Sequence, residues 1–457
     1  MSGLRVALLS YRSKPHCGGQ GVYVRNLSRE LAALGHEVTV FSGQPYPELD
    51  RLGEGVTLEK LPSLDLYREP DPFRIPHLRE YRDLVDLVEV GGMLTATFPE
   101  PLTFSLRAAR ALRAQAHRFD VVHDNQSLGY GLLSLPRLGL PVVATIHHPI
   151  TRDLQTDLSG AQTWLRRLSL RRWYAFLTMQ KRVARAQQRI LTVSQSSATD
   201  IAHDFGVDPE RITVVPLGVD TEVFTPRRSQ DRVPGRVVAM ASADTPLKGI
   251  DVLLEAIAQR RAEHLGADTP LELVLVSATR PGGRTERLLD ELRLRDVVRV
   301  VGGLSDAELA DLVASAQVAC VPSRYEGFSL PTVEAMACGT PLVVSRAGAL
   351  PEVVGEPGSD CALVVEPGDA TALCAALSRL LDDPDLRLRL GEAGRARACA
   401  RYSWPAVARA TAQLYREAMG SAPVPYRVHA RNWPKLTRLR ARAPQKSTVP
   451  SPMGSSC

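Results

Sequence analysis

The chain has 457 residues, 44% hydrophobic and 23% charged, which excludes a single small module and supplies apolar material for two sizeable cores. Its formal net charge of +6 is unevenly spread: Ser159–Ile190 carries eight cations and no carboxylate, and Arg427–Lys446 seven cations and no carboxylate. The remainder is acidic, so an anionic partner would meet those two segments. No run of about 18 uninterrupted apolar residues occurs, which excludes an obvious membrane span. The seven cysteines form no Cys-x-x-Cys pair, which argues for a reducing compartment and against a disulfide scaffold or zinc ribbon. Met1–Gly3 leads into the short apolar run Arg5–Tyr11 without a small-residue cleavage site, so a cytoplasmic protein is expected.

Residues 5–42 read as strand, loop, helix and strand. Arg5–Tyr11 is β-prone, and Arg12–Gly21 is a polar loop ending in Gly18-Gly19-Gln20-Gly21. Val22–Leu34 has helical spacing and stops at Gly35; Glu37–Ser42 is the next strand. Such alternation predicts a parallel sheet covered on both faces. Residues 44–118 are irregular and rich in proline and arginine. Asp120–Asp124, Pro141–Ile146, Arg189–Ser194 and Ile212–Pro216 read as later strands of the same sheet. Ser159–Ile190 reads either as a pair of charged surface helices or as a segment on anionic lipid, with Trp164, Trp173, Tyr174 and Phe176 among its arginines. Its apolar and basic positions are spread around the wheel, unlike an interfacial helix.

Residues 219–235 read as a linker, after which the alternation restarts. Strands are predicted at Val237–Ala241, Leu271–Ser277, Val297–Val301, Val318–Pro322, Pro341–Ser345 and Ala362–Val365. Helices are predicted at Gly249–Arg261, Asp306–Ala316, Ala370–Asp382 and Trp404–Met419. The boundaries are therefore 1–218, 219–235, 236–401, a last helix at 402–420, and a basic, partly disordered tail at 421–457. Two doubly wound units imply a cleft beyond the carboxyl ends of their strands. Asp383-Pro-Asp385 mimics a metal-binding pair but lies between helices, so it is read as a turn and no metal is expected.

Several motifs then resemble one family over residues 4–420. They are the Gly-Gly-Gln-Gly loop, Val215-Pro-Leu-Gly-Val-Asp220, Pro246-Leu-Lys-Gly249, and Glu326-Gly-Phe-Ser-Leu-Pro-Thr-Val-Glu334 running on to Gly339-Thr-Pro341. Together they resemble the retaining GT-B glycosyltransferases of family 4 (glycosyltransferase group 1). The resemblance implies an α/β GT-B fold: two Rossmann-like doubly wound parallel-sheet domains facing a cleft, with the C-terminal helix packing back on the N-terminal domain. Residues 1–218 would be the acceptor domain and 236–401 the nucleotide-sugar domain. The reaction would move a sugar, with retention, from a nucleotide diphosphate sugar to a small-molecule, lipid or glycan acceptor. That donor is a co-substrate, and no cofactor is implied.

By the same resemblance His147, Lys248 and Glu326 are the catalytic candidates. The donor would meet Gly18, Gly19, Gly21, Lys248, Arg280, Glu326, Gly327, Phe328, Ser329, Leu330 and Glu334. Asp124, Asn125 and His148 are the acceptor-side candidates. Glu326 would take sugar hydroxyls and Glu334 the ribose; without the resemblance, both read equally as a loop carboxylate and a helix-start carboxylate. Lys248, one of only six lysines, would face the leaving diphosphate. The family's usual arginine five residues earlier is Ala243 here, so Arg280 is the expected substitute. An epimerase of the same fold, or a non-catalytic nucleotide-sugar-binding protein, is the alternative. The basic segments leave peripheral contact with the inner face of an anionic membrane open, and no nucleic-acid partner is expected.

Overall fold

Short runs of valine, isoleucine and leucine have no polar face to offer solvent, and the chain buries them as two parallel sheets sandwiched between helices. The computed structural model describes residues 3–13, 19–68, 71, 73–227, 231–241, 244–264, 270–277, 279, 282–355 and 361–420. The first sheet contains β1 (Arg5–Ser10), β2 (Glu37–Ser42), β3 (Val56–Lys60), β4 (Val121–Asn125), β5 (Val142–Ile146), β6 (Arg189–Thr192) and β7 (Ile212–Val214). Its order is β3-β2-β1-β4-β5-β6-β7. The second contains β8 (Arg236–Met240), β9 (Glu272–Val276), β10 (Val298–Val301), β11 (Val318–Val321), β12 (Leu342–Ser345) and β13 (Ala362–Val365). Its order is β10-β9-β8-β11-β12-β13. Every pairing is parallel, and β4, β5, β11 and β12 are buried at each residue.

Each order reverses once, between β1 and β4 and between β8 and β11. At such reversals the connecting loops part and leave a crevice. The apolar cluster on one face of the first sheet continues into the second domain through Val215, Leu217, Val219 and Phe224. The last helix, Trp404–Gly420, packs on the first, Gly19–Ala33. Tyr415 reaches the first sheet, with its hydroxyl 2.6 Å from His123 Nδ1, and Val219 bridges Ser403. The start of the linker is therefore packed against the body rather than free.

Residues 44–118 depart from the irregular stretch expected. They hold edge strand β3 and two helices, Leu84–Leu94 and Glu100–Ala114. Ser159–Ile190 forms helices Trp164–Trp173 and Leu177–Ala186, joined by the turn Tyr174–Phe176, and ends in β6. The tail 421–457 lies outside the described residues.

Candidate active site

Loops from the carboxyl ends of both sheets line one cleft of ≈ 550 Å³. On the second domain's side, β8 leads to the turn Pro246–Lys248, and Gly249 follows at φ 62°. A Cβ on Gly249 would lie 2.1 Å from the carbonyl oxygen of Pro322, so only glycine lets this turn seat against the end of β11. Arg324 clips the two loops together. Its amide donates to Leu247 O at 2.7 Å, and its guanidinium donates to Pro246 O at 2.7 Å and to both Asp251 oxygens at 2.8 and 2.9 Å. Lys248 Nζ thereby donates to Glu326 Oε1 at 2.7 Å, and Ser323 Oγ donates to the same oxygen at 2.7 Å. Cation and carboxylate face the cleft as a pre-assembled pair.

Glu326–Ser329 leads into helix Leu330–Ala337. Ser329 holds φ 89°, a left-handed conformation that costs a non-glycine residue about 1–3 kcal/mol. Pro331 occupies the first turn, where its missing N–H is not needed, and no side chain caps the helix. The first-turn amides are thus available to an anion. Glu334 lies one turn in, lines the cleft and has no side-chain hydrogen-bond partner among the described residues. Burial, with Asp306 adding to it, pushes its carboxyl up to about 7.

On the first domain's side, β5 ends at Ile146 and delivers His147. Its amide donates to Gln126 Oε1 at 2.7 Å, and its ring Nε2 donates to Asn125 Oδ1 at 2.7 Å. The edge of Tyr23 packs at 4.9 Å between ring centroids. Burial, then the neighbouring His148 and His123, lowers the His147 ring to about 3, so it is neutral and its tautomer is set by Asn125. His148 also lines the cleft and pairs with Asp153 at 3.0 Å. Gln126, at φ 58°, donates from Nε2 to His148 O at 2.9 Å.

The expected acceptor-side residues are sorted by this geometry. His148 reaches the cleft. Asn125 is fully buried and meets it only through His147. Asp124 does not line the cleft: it is fully buried and accepts from the Leu128 amide at 2.9 Å and from the Ser127 hydroxyl. It caps its own turn, and burial pushes its carboxyl up to about 6. Of the expected donor residues, Gly19, Lys248, Glu326, Gly327, Phe328, Ser329, Leu330 and Glu334 line the cleft. Gly21 is buried inside the first helix instead. Gly18, Arg280 and Ala243 lie outside the described residues.

Some lining residues went unrecognised in the sequence, among them Arg25, Asn26, Arg29, Gln126 and Asp306. Arg25 and Arg29 are one turn apart on the helix whose Val24, Leu27 and Leu31 face the core; the polar side of that amphipathic pattern was the available signal. Arg25 donates to Asp50 at 2.8 Å in its own domain and to Asp306 at 2.9 Å across the cleft. Nearby, Gly327 O accepts from Ser194 Oγ at 2.6 Å and Ser197 Oγ at 3.1 Å. A Cβ at Gly327 would sit 2.8 Å from His147 O, so the two walls touch where the catalytic candidates meet. Among the described residues no group of three or more His, Cys, Asp or Glu is arranged to hold a metal ion. Asp383 caps helix Pro384–Arg401 by accepting from the Leu386 amide at 2.9 Å.

Chemically, one cleft offers a cation, an uncapped helix start, a carboxyl group and a neutral imidazole. Residues 17–223 match the family model for glycosyltransferase family 4, and residues 225–397 match that for glycosyl transferases group 1. The chain is 58% identical, over 91% of its length and 98% of the relative's, to an MMP alpha-(1->4)-mannosyltransferase of Mycolicibacterium hassiacum. It is 30% identical, over 91% of its length and 95% of the relative's, to a D-inositol 3-phosphate glycosyltransferase of Thermobispora bispora. Among solved structures it resembles a sucrose-phosphate synthase of Thermosynechococcus elongatus, with a TM-score of 0.70 and 26% identity over 92% of this chain and all of that one. HepE of Anabaena, solved with UDP-glucose, shares the fold with a TM-score of 0.65 at 16% identity, over 91% of this chain and 100% of that one.

Proposed function

From the premise that this chain belongs to the group 1 glycosyltransferases of family 4, we propose that it transfers an α-mannosyl unit, with retention, from a nucleotide diphosphate mannose to a glycan acceptor, forming an α-(1→4) bond. The observation that carries this reading is the 58% identity to a named α-(1→4)-mannosyltransferase across 98% of that protein. The site supplies what such a transfer needs. The donor's diphosphate gains charge as the sugar leaves, and Lys248 with the first-turn amides of Leu330–Ala337 stabilises that charge. Glu334 accepts the ribose hydroxyls. Glu326, on releasing Lys248, accepts sugar hydroxyls, while neutral His147 lines the sugar from the opposite wall.

The bond from the anomeric carbon to the phosphate oxygen breaks as the acceptor oxygen attacks the same face. The acceptor's proton passes to the departing phosphate oxygen, so no protein nucleophile is required. Lys248 and helix amides carry the electrostatic work without a metal, and transfer should persist in EDTA. The test is product analysis with ADP-, GDP- and UDP-linked mannose and glucose and oligomannoside acceptors, with the anomeric configuration read by NMR. Glucosyl transfer alone, or an inverted anomeric centre, overturns the proposal.

A further inference from the structure

Among the described residues, most exposed large apolar side chains gather in residues 73–94 and 164–168 of the first domain. Helix Leu84–Leu94 is apolar on its outer side as well as its inner one. Its inner face carries Val90 and Met93, packed with Leu64, Leu66 and Tyr67, together with Asp86 and Glu89, both buried and both clamped by the buried Arg107. Its outer face is the stripe Leu84, Leu87, Val88 and Leu94, with Leu84 77% and Leu94 68% exposed. The spacing of that stripe is helical, and the buried ion cluster fixes which side faces out. A contiguous apolar face held outward in this way marks an interaction surface rather than scattered exposure.

The neighbouring helix, Trp164–Trp173, adjoins the end of this stripe. Its Arg172 donates to Thr95 O, just past the stripe, at 2.9 and 3.1 Å. The Phe98 amide donates to Trp173 O at 3.3 Å, and their rings lie 5.3 Å apart. This helix exposes Trp164, Leu165 and Leu168 interleaved with exposed Arg166, Arg167, Arg171 and Arg172, so it is not itself segregated into an apolar and a basic side; the apolar face is that of Leu84–Leu94, and this helix adds the cations and Trp164. No carboxylate occurs between Ser159 and Ile190.

We propose that this face docks on an anionic lipid surface, the leucine stripe and Trp164 entering the acyl boundary and the arginines meeting headgroup phosphates. Charge decides the occupant. A second copy of the chain would bring the arginine row of Trp164–Trp173 into its own counterpart's field, a like-charge juxtaposition that opposes association. An anionic bilayer satisfies the apolar stripe and the cations together. No described helix is long and apolar enough to cross a membrane, so contact is peripheral. The inference is independent of the donor and acceptor proposed above.

The full chain should sediment with vesicles containing phosphatidylglycerol and not with pure phosphatidylcholine vesicles. Binding should blue-shift the tryptophan emission, and Trp164→Phe should remove most of the shift. The Leu87→Glu/Val88→Glu double variant retains every cation, including those of the tail. Both positions face solvent, so its melting temperature should be unchanged while partitioning falls by about tenfold or more. Undiminished vesicle binding by that variant would assign lipid contact to other cations and overturn the proposal. So would a wild-type chain that ignores vesicles, whether it is monomeric or forms a dimer that Leu87→Glu dissociates.

Discussion

Lys248 and Glu326 hold each other in the cleft through one carboxylate oxygen that Ser323 also binds. On the function proposed above, a donor exchanges that ion pair for phosphate and sugar contacts, and Lys248 becomes most valuable once the leaving group is charged. Lys248→Ala should lower kcat by about 10²–10³ with a smaller change in KM; turnover at the wild-type rate would remove the leaving group from this position. Glu334 makes a prediction with a sign. Burial, with Asp306 adding to it, holds its carboxyl up at about 7, whereas in the proposed role ribose hydroxyls donate to the ionised form. Binding therefore expels a proton, and nucleotide affinity should rise by about tenfold per pH unit below that value and level off above it. Glu334→Gln should flatten the profile, and Glu334→Ala should cost about 1.5–3 kcal/mol of nucleotide binding. Calorimetric titration of the free nucleoside diphosphate across pH checks both, and a pH-independent wild-type affinity excludes the ribose role. His147, lowered to about 3, should contribute no ionisation to the rate profile near neutrality.

Short connecting pieces hold these groups, and their tolerance to change follows from local geometry. Gly249 combines φ 62° with a Cβ position 2.1 Å from Pro322 O. Gly249→Ala should destabilise the chain by more than about 1 kcal/mol, read as a lower melting temperature, and should lower activity by displacing Lys248. An unchanged melting temperature and rate would mean that the turn is not seated against β11. The same scale explains which elements were readable. β4, β5, β11 and β12 are buried on both sides, so their runs of valine announce themselves at nearly the right boundaries. β3 is an edge strand, Val-Thr-Leu-Glu-Lys, half polar because one side faces outward. Helix Leu84–Leu94 escaped because it is apolar on both sides, with Val90 and Met93 buried beside two acids and Leu84, Leu87, Val88 and Leu94 exposed, so no single apolar stripe marks its core face.

Beside the apolar cluster that continues through Val215, Leu217, Val219 and Phe224, the two domains meet through specific polar contacts. Glu352 of the second accepts from the Gln195 amide at 2.9 Å and thereby serves the N-terminus of helix Gln195–Phe205 in the first. Arg25–Asp306 and Tyr325–Asp200 span the same divide at 2.9 and 2.8 Å. Polar contacts of this kind are exchanged readily with water. Glu352→Ala should remove about 1 kcal/mol of charge-assisted capping. It should enlarge the radius of gyration seen by small-angle scattering and raise KM for the donor more than it lowers kcat. An unchanged scattering profile and KM would show that closure does not depend on this cap.

Periodicity by itself determined much of this protein. Apolar alternation, with breaks at glycine, was sufficient for two parallel doubly wound units, because burial on both sheet faces imposes a one-dimensional signature. The Glu326-to-Glu334 block likewise placed its carboxylates at a loop and one turn into a helix, since both depend only on local chain geometry. Partnership was decided elsewhere. Asp124 and His147 both follow apolar strand runs, yet one turns inward to cap Ser127 and Leu128 while the other faces the cleft. Lys248 meets Glu326, Arg25 meets Asp306, and Gln126 carries His147 only because distant segments are folded onto one another. Local sequence encodes which way a backbone runs; which side chains share a cleft depends on long-range packing, where a single rotation of a strand end or helix exchanges an inner neighbour for solvent.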